Sequence, residues 1–400
     1  MTKGLAPEAN GRAEYMGYPA DSFCRPSCAC DPYRIRYTCP QEASSIGTHN
    51  DSVFYTMPRG SGYTDSPGIG EISVAGRDIA AMGILERIRQ HAAVASGNFA
   101  SMFKEVEIPP LPAATTRLIA ELNKPEPDIG QVAKIISADL EVSAKVMKTI
   151  NSSLYSLPSK VKSVQHAMTL LGLRSIQAIA FSYTMKATIP KPKGDLFDQE
   201  AFWTDSLLRA LLARSLTRGS PAGGEDEAFT VMILADVALP VLLCVWRDYY
   251  TPIVEQWKTS TERLSQIERE DFGWDHAQAG AWILKSWSFS DEIVCLAGSH
   301  NLSISEIRQL GLEQTIALPL ATASILPSVL RPSEERSRLL IRTACEAFSM
   351  TAKELGGLFS EVQSNFNDIR EQFDLRDRNT SSMFESLISL SDSQLAEQSS

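Results

Sequence analysis

The chain has 400 residues, 44% of them apolar and 22% charged, which is enough to bury at least one full core. A formal charge of −10 excludes a chain-wide basic footprint for nucleic acid or anionic lipid, which would need clustered Lys and Arg. Seven cysteines, an odd number, with Cys244, Cys295 and Cys345 isolated in apolar patterns, point to reduced, mostly buried thiols in a cytoplasmic protein rather than a disulfide framework.

Gly, Pro and Ser make up close to a third of residues 1–78, without helical or strand periodicity, so this stretch is read as a disordered arm. Six of the ten tyrosines lie in it, and Met1–Gly17 is polar, unlike a secretory leader. Within the arm, Cys24, Cys28, Cys30 and Cys39 offer four sulfurs to zinc, but not as two separated Cys-x2-4-Cys pairs, and free thiols are the default reading. Residues 79–104 form a lead-in segment, with Met82, Leu85 and Ile88 on one face of a short helix. Ile108-Pro-Pro-Leu-Pro112 is expected to be extended, because proline fixes φ and removes an amide donor.

A run of helices follows. Asp128 caps one with Ile129, Val132, Ala133 and Ile136 on one face and Gln131 at the capping-box position; Val142, Val146, Met147 and Ile150 mark a second. Ser163 caps a third, closed by Gly172, and Ile176, Ile179, Ala180 and Tyr183 stripe a fourth before the linker Pro190–Gly194. Further helices are predicted over Gln199–Arg218, Asp226–Tyr249, Asp275–Ser286, Asp291–His300 and Leu312–Leu326. Phe229–Trp246 is long and apolar, yet Asp236 and Pro240 near its middle favour a buried core helix over a membrane span. Ser333 and Thr351 cap two more helices, and residues 376–400 are read as a frayed, Ser-rich tail. No stretch after residue 100 alternates with period two, so the fold class is all-α.

The order of signatures resembles one family. Ile108-Pro-Pro-Leu-Pro112, Ile135-Ile-Ser-Ala-Asp139, Asn151-Ser-Ser-Leu-Tyr155, Val164-Gln-His-Ala-Met-Thr-Leu-Leu-Gly172, Phe202-Trp203, Glu227–Leu234, Asp275-His276-Ala277 and Gly280–Trp287 follow one another as in the HDOD domain. The resemblance implies a multi-helix HD-like bundle over 105–305, with a helical extension over 306–375. It also implies a bacterial signal-transduction output or adaptor module related to the metal-dependent HD phosphohydrolases. In that superfamily a His, a His-Asp pair and a later Asp hold divalent metal that activates water. Here the first His position falls on Thr204 or Asp205, the His-Asp pair reads Ala235-Asp236, and the later Asp falls among Ala321, Thr322 and Ala323.

Only Asp236 survives from that set, with Asp205 as a substitute, and His276 and His300 as donors that could rejoin. The bland alternative makes Asp205 a surface or edge residue and Asp236 a buried, hydrogen-bonded carboxylate. No Gly-x-Ser-x-Gly elbow or P-loop is present, Lys160, Lys162, Lys186, Lys191 and Lys193 read as a solvated face, and the tryptophans as core or groove aromatics. The expectation is therefore a non-catalytic regulatory pseudo-enzyme without metal or other cofactor. It would bind a signalling protein partner or, as the alternative, a small nucleotide messenger, and neither nucleic acid nor membrane. The alternative is a divergent metal-dependent phosphohydrolase acting on a nucleotide or cyclic dinucleotide. It requires Asp205, Asp236 and His276 or His300 to converge on one cavity, which the adaptor reading expects to be apolar or collapsed.

Overall fold

The structure, a computed structural model, describes residue 99 and residues 108–218 and 223–398. The arm 1–78 with its cysteine cluster, and the lead-in helix except Phe99, lie outside those residues.

The described chain is built from helices, and no strand occurs among the described residues beyond one isolated bridge, Ser328 to Arg331. The first half comprises α1 (Ala113–Leu122), α2 (Ile129–Ala138), α3 (Leu140–Ile150), α4 (Val164–Leu171) and α5 (Leu173–Thr188). Their starts follow local chemistry: Asp128, Asp139 and Ser163 each accept the backbone N–H three residues on, satisfying donors the helix cannot. Gly172 takes a φ of +84° between α4 and α5, where a side chain would be strained. The extended segment 108–112 is held by Trp287, whose Nε1 donates to the Pro109 carbonyl at 3.0 Å.

The second half contains α6 (Gln199–Thr217), α7 (Glu225–Ala235), α8 (Ala238–Val245), α9 (Arg247–Thr259), α10 (Leu264–Phe272), α11 (His276–Ser286) and α12 (Asp291–Ser299). Helices α6 and α7 pack on each other most extensively and form the centre of the main core with Leu207, Leu208, Leu211, Val231 and Leu234, all fully buried. Burial of each such side chain contributes about 1.5–3 kcal/mol. The single helix expected over Asp226–Tyr249 is three. The chain leaves α7 at Asp236, whose ψ is 12°, and turns again at Trp246. Within Glu225–Val245 the most apolar 18-residue stretch has a mean hydropathy of 2.4 and is 83% buried within the protein, as a core element should be.

Then come α13 (Ile304–Gln309), α14 (Ala317–Ala323), α15 (Glu334–Phe348), α16 (Ala352–Ile369) and α17 (Thr380–Gln398). The helix expected over Leu312–Leu326 shortens to α14, since Leu312 and Gly311 are spent closing α13. The frayed tail is corrected: α17 packs along α16, burying Leu387 and setting the buried ring of Phe384 against Phe359. Serine composition misled there, because the apolar positions Met383, Phe384 and Leu387 recur at helical spacing among the serines. Cys244 and Cys295, expected to be buried, are exposed.

Candidate functional site

The break after α7 leaves Asp236 at a helix C-terminus, where the backbone carbonyls already concentrate negative charge. A carboxylate buried there is untenable without partners, and three side chains arrive from distant parts of the chain. Arg209, on the inward face of α6, places Nη1 2.8 Å from Oδ2 of Asp236. His276, the first residue of α11, brings Nε2 to 3.3 Å from Oδ1, and His300, capping α12, brings its Nε2 to 3.1 Å from the same oxygen.

Two close helix approaches set the imidazoles. Gly280 lies one turn after His276, and a Cβ there would meet the Ala235 carbonyl at 3.2 Å, so only glycine lets α11 reach the α7 break unshifted. Gly298, two residues before His300, makes the same kind of contact with Ala281 and draws α12 onto α11.

Each imidazole is oriented from behind. His276 Nδ1 lies 2.5 Å from Glu268 Oε2, and its backbone N–H donates to the same oxygen at 2.9 Å. Glu268, fully buried on α10, also accepts from the hydroxyl of Tyr250. His300 Nδ1 faces the Ala297 carbonyl at 2.6 Å; a carbonyl only accepts, so Nδ1 carries a proton. Nε2 of His300 then approaches a carboxylate oxygen, and that contact is favourable when a second proton or another cation lies between them.

The electrostatics follow. Burial pushes the Asp236 carboxyl up, but hydrogen bonds from His276 and His300 and the Arg209 charge outweigh it and hold it well below the usual carboxylate range. Burial pushes His276 down, yet the charge of Glu268 and hydrogen bonds to Asp236 and Glu268 carry it up to about 10. Asp205, one helical turn before Arg209 on α6, is pushed up by burial; its Oδ1 accepts the Val329 N–H at 2.9 Å.

Asp205, Arg209, Asp236, His276 and His300 line one cavity of about 130 Å3, together with Arg263, Asn301, Ser324, Arg336 and an apolar wall that includes Phe202, Leu239 and Trp257. The cavity is thus neither collapsed nor uniformly apolar, contrary to what the adaptor reading expected. Asp236, His276 and His300 converge, with their donor atoms within 4.8 Å of one another. Asp205 is no surface residue but part of the same lining. Sequence reasoning missed Arg209, Glu268, Asn301, Arg263 and Arg336. Arg209 alone carried a signal, as a charge inside the otherwise apolar run Leu207–Ala213, four residues from Asp205.

In kind, one carboxylate and two imidazoles suit a transition metal, with Glu268 and Ala297 orienting the rings as outer partners. In charge the site does not suit a dication. Arg209 already occupies the second oxygen of Asp236, Arg263 and Arg336 share the cavity, and Asn301 Nδ2 sits 2.9 Å from Nε2 of His276, the atom that would bind.

The helical architecture around this centre defines an HD-like fold, shared with solved bacterial proteins. An HDOD domain protein of unknown function from Geobacter sulfurreducens aligns over 71% of this chain and 98% of its own, with 21% identity and a TM-score of 0.53. A candidate phosphohydrolase from Shewanella amazonensis SB2B aligns over 68% and 97%, with 21% identity and a TM-score of 0.52. Within that class, residues 108–302 match the family model of the HDOD domain. YuxH, an uncharacterized protein of Bacillus subtilis (strain 168), is 29% identical over 192 residues, which is 41% of this chain and 46% of that relative, so the match spans about half of its length.

Proposed function

We propose that the protein is a regulatory module that acts by binding, without hydrolysis, with a signalling protein as its partner and a small phosphorylated messenger as a ligand of its cavity. The observation that carries this reading is the ion pair between Arg209 and Asp236. The one carboxylate retained from the HD ligand set is neutralised by a fixed guanidinium 2.8 Å away, where a hydrolase would need it for metal. The HDOD match at 108–302 supports the regulatory context.

A second reading, a metal-dependent phosphohydrolase, is favoured by the convergence of Asp236, His276 and His300. Elemental mass spectrometry of the purified full chain, beside Asp236→Ala, separates the two. The binding module is expected to hold far less than one equivalent of Mn, Fe or Mg in either protein. A stoichiometric metal lost in Asp236→Ala, together with phosphodiesterase activity, would overturn it.

A further inference from the structure

The cavity before Asp236 carries more positive charge than Asp236 uses. Arg209, Lys258, Arg263 and Arg336 line it beside Asp205 and Asp236, while the remaining lining carboxylate, Asp198, is bound to Arg378 at 2.5 Å. Arg263 donates from Nη2 to Asn301 Oδ1 at 3.2 Å and to Ser324 Oγ at 2.9 Å. Arg336 donates from Nη2 to the carbonyls of Ser324 and Ile325 at 3.5 and 3.3 Å. The two guanidiniums therefore meet at Ser324, and neither has a carboxylate ion-pair partner among the described residues. Arg209 adds a buried Nε without a hydrogen-bond acceptor.

Such a pair is costly as it stands. Burial, then the charge of Arg209 and neighbouring guanidiniums, brings Arg263 down to about 10 and Arg336 to about 9. An anion between them would relieve that repulsion and fill donors left open, and a planar fork of N–H groups matches phosphate oxygens. The charge selects the ligand class. Two unpaired cations call for a dianion, which at neutral pH means a phosphate monoester, with a second pKa of about 6, in preference to a carboxylate or a phosphodiester. The part-exposed lining residues Leu196, Phe197, Trp257 and Leu330 supply an apolar outer wall for the organic part. Arg336, Ser324 and Leu330 lie beyond residue 302, so the C-terminal extension completes this subsite and the HDOD match alone does not.

We propose that Arg263, Arg336 and Arg209 form an anion subsite that binds a phosphate monoester, its phosphoryl group between the guanidiniums and its apolar or aromatic group against Phe197, Trp257 and Leu330. The inference rests on the binding reading above and names its ligand class.

The test is calorimetric titration of the full chain at low salt with phenyl phosphate, inorganic phosphate, benzoate and phenol. Phenyl phosphate is expected to bind about tenfold or more tighter than the other three, since only it supplies both dianion and ring. Arg263→Met and Arg336→Met should each weaken it by about tenfold while the melting temperature holds or rises, because each removes a cation without a carboxylate partner. No saturable binding of phenyl phosphate would overturn the subsite. So would binding untouched by both substitutions while both lower the melting temperature, which would leave the arginines as clamps on the Ser324–Ile325 carbonyls. Release of inorganic phosphate from phenyl phosphate would count for the subsite and against the binding-only reading, so the two fail separately.

Discussion

His300 Nε2 lies 3.1 Å from Asp236 Oδ1, across 64 residues of sequence, and the same oxygen receives His276 Nε2 at 3.3 Å. One buried carboxylate thus collects two imidazoles and, on its other oxygen, a guanidinium. The helix break at Asp236 is held from α6, α11 and α12 at once.

Asp236→Ala should therefore destabilise the fold by about 3–5 kcal/mol, the usual consequence of leaving buried cations without their counter-charge. Urea denaturation followed by circular dichroism measures it. A loss under about 1 kcal/mol would mean that water reaches these groups and that the centre is not a structural keystone.

The stability should also depend on pH through His276. Its folded-state proton is held to about pH 10, whereas the ordinary imidazole value is 6.5. The stabilisation is therefore complete below about pH 6.5 and drains away as the pH climbs towards 10, by an amount on the order of a few kcal/mol. Unfolding free energies at pH 6, 8 and 10 give the slope, and His276→Gln should flatten it. Equal slopes in both proteins would assign the pH dependence elsewhere.

Trp287→Phe keeps an aromatic ring but removes the donor to the Pro109 carbonyl. We expect a cost of about 1–2 kcal/mol. Limited proteolysis should then cut first near residues 108–112, and an unchanged cleavage pattern would show that the extended segment is anchored by other contacts.

Phe384→Ala tests the C-terminal helix. The ring is fully buried, 6.4 Å from Phe359 and tilted against it, so its truncation should cost about 3–5 kcal/mol. Thermal melts that matched the parent would return α17 to the status of a frayed tail.

The sequence by itself determined what depends on near neighbours. Capping side chains at Asp128, Ser163 and Thr351, apolar stripes of period 3.6, and the proline-rich segment at 108–112 were readable because a helix start or a buried face is written within a few residues. The family resemblance was readable for the same reason, as an ordered string of such local features. The division of Asp226–Tyr249 into three helices was not, since a uniformly apolar stretch satisfies a helix pattern wherever it bends. Only the tertiary structure decided that Asp236, His276 and His300 share one centre, that Arg209 neutralises it, and that Arg263 and Arg336 meet at Ser324. Those relationships join side chains tens of residues apart. They are settled by helix packing, including the close approaches at Gly280 and Gly298, which no periodicity along the chain records.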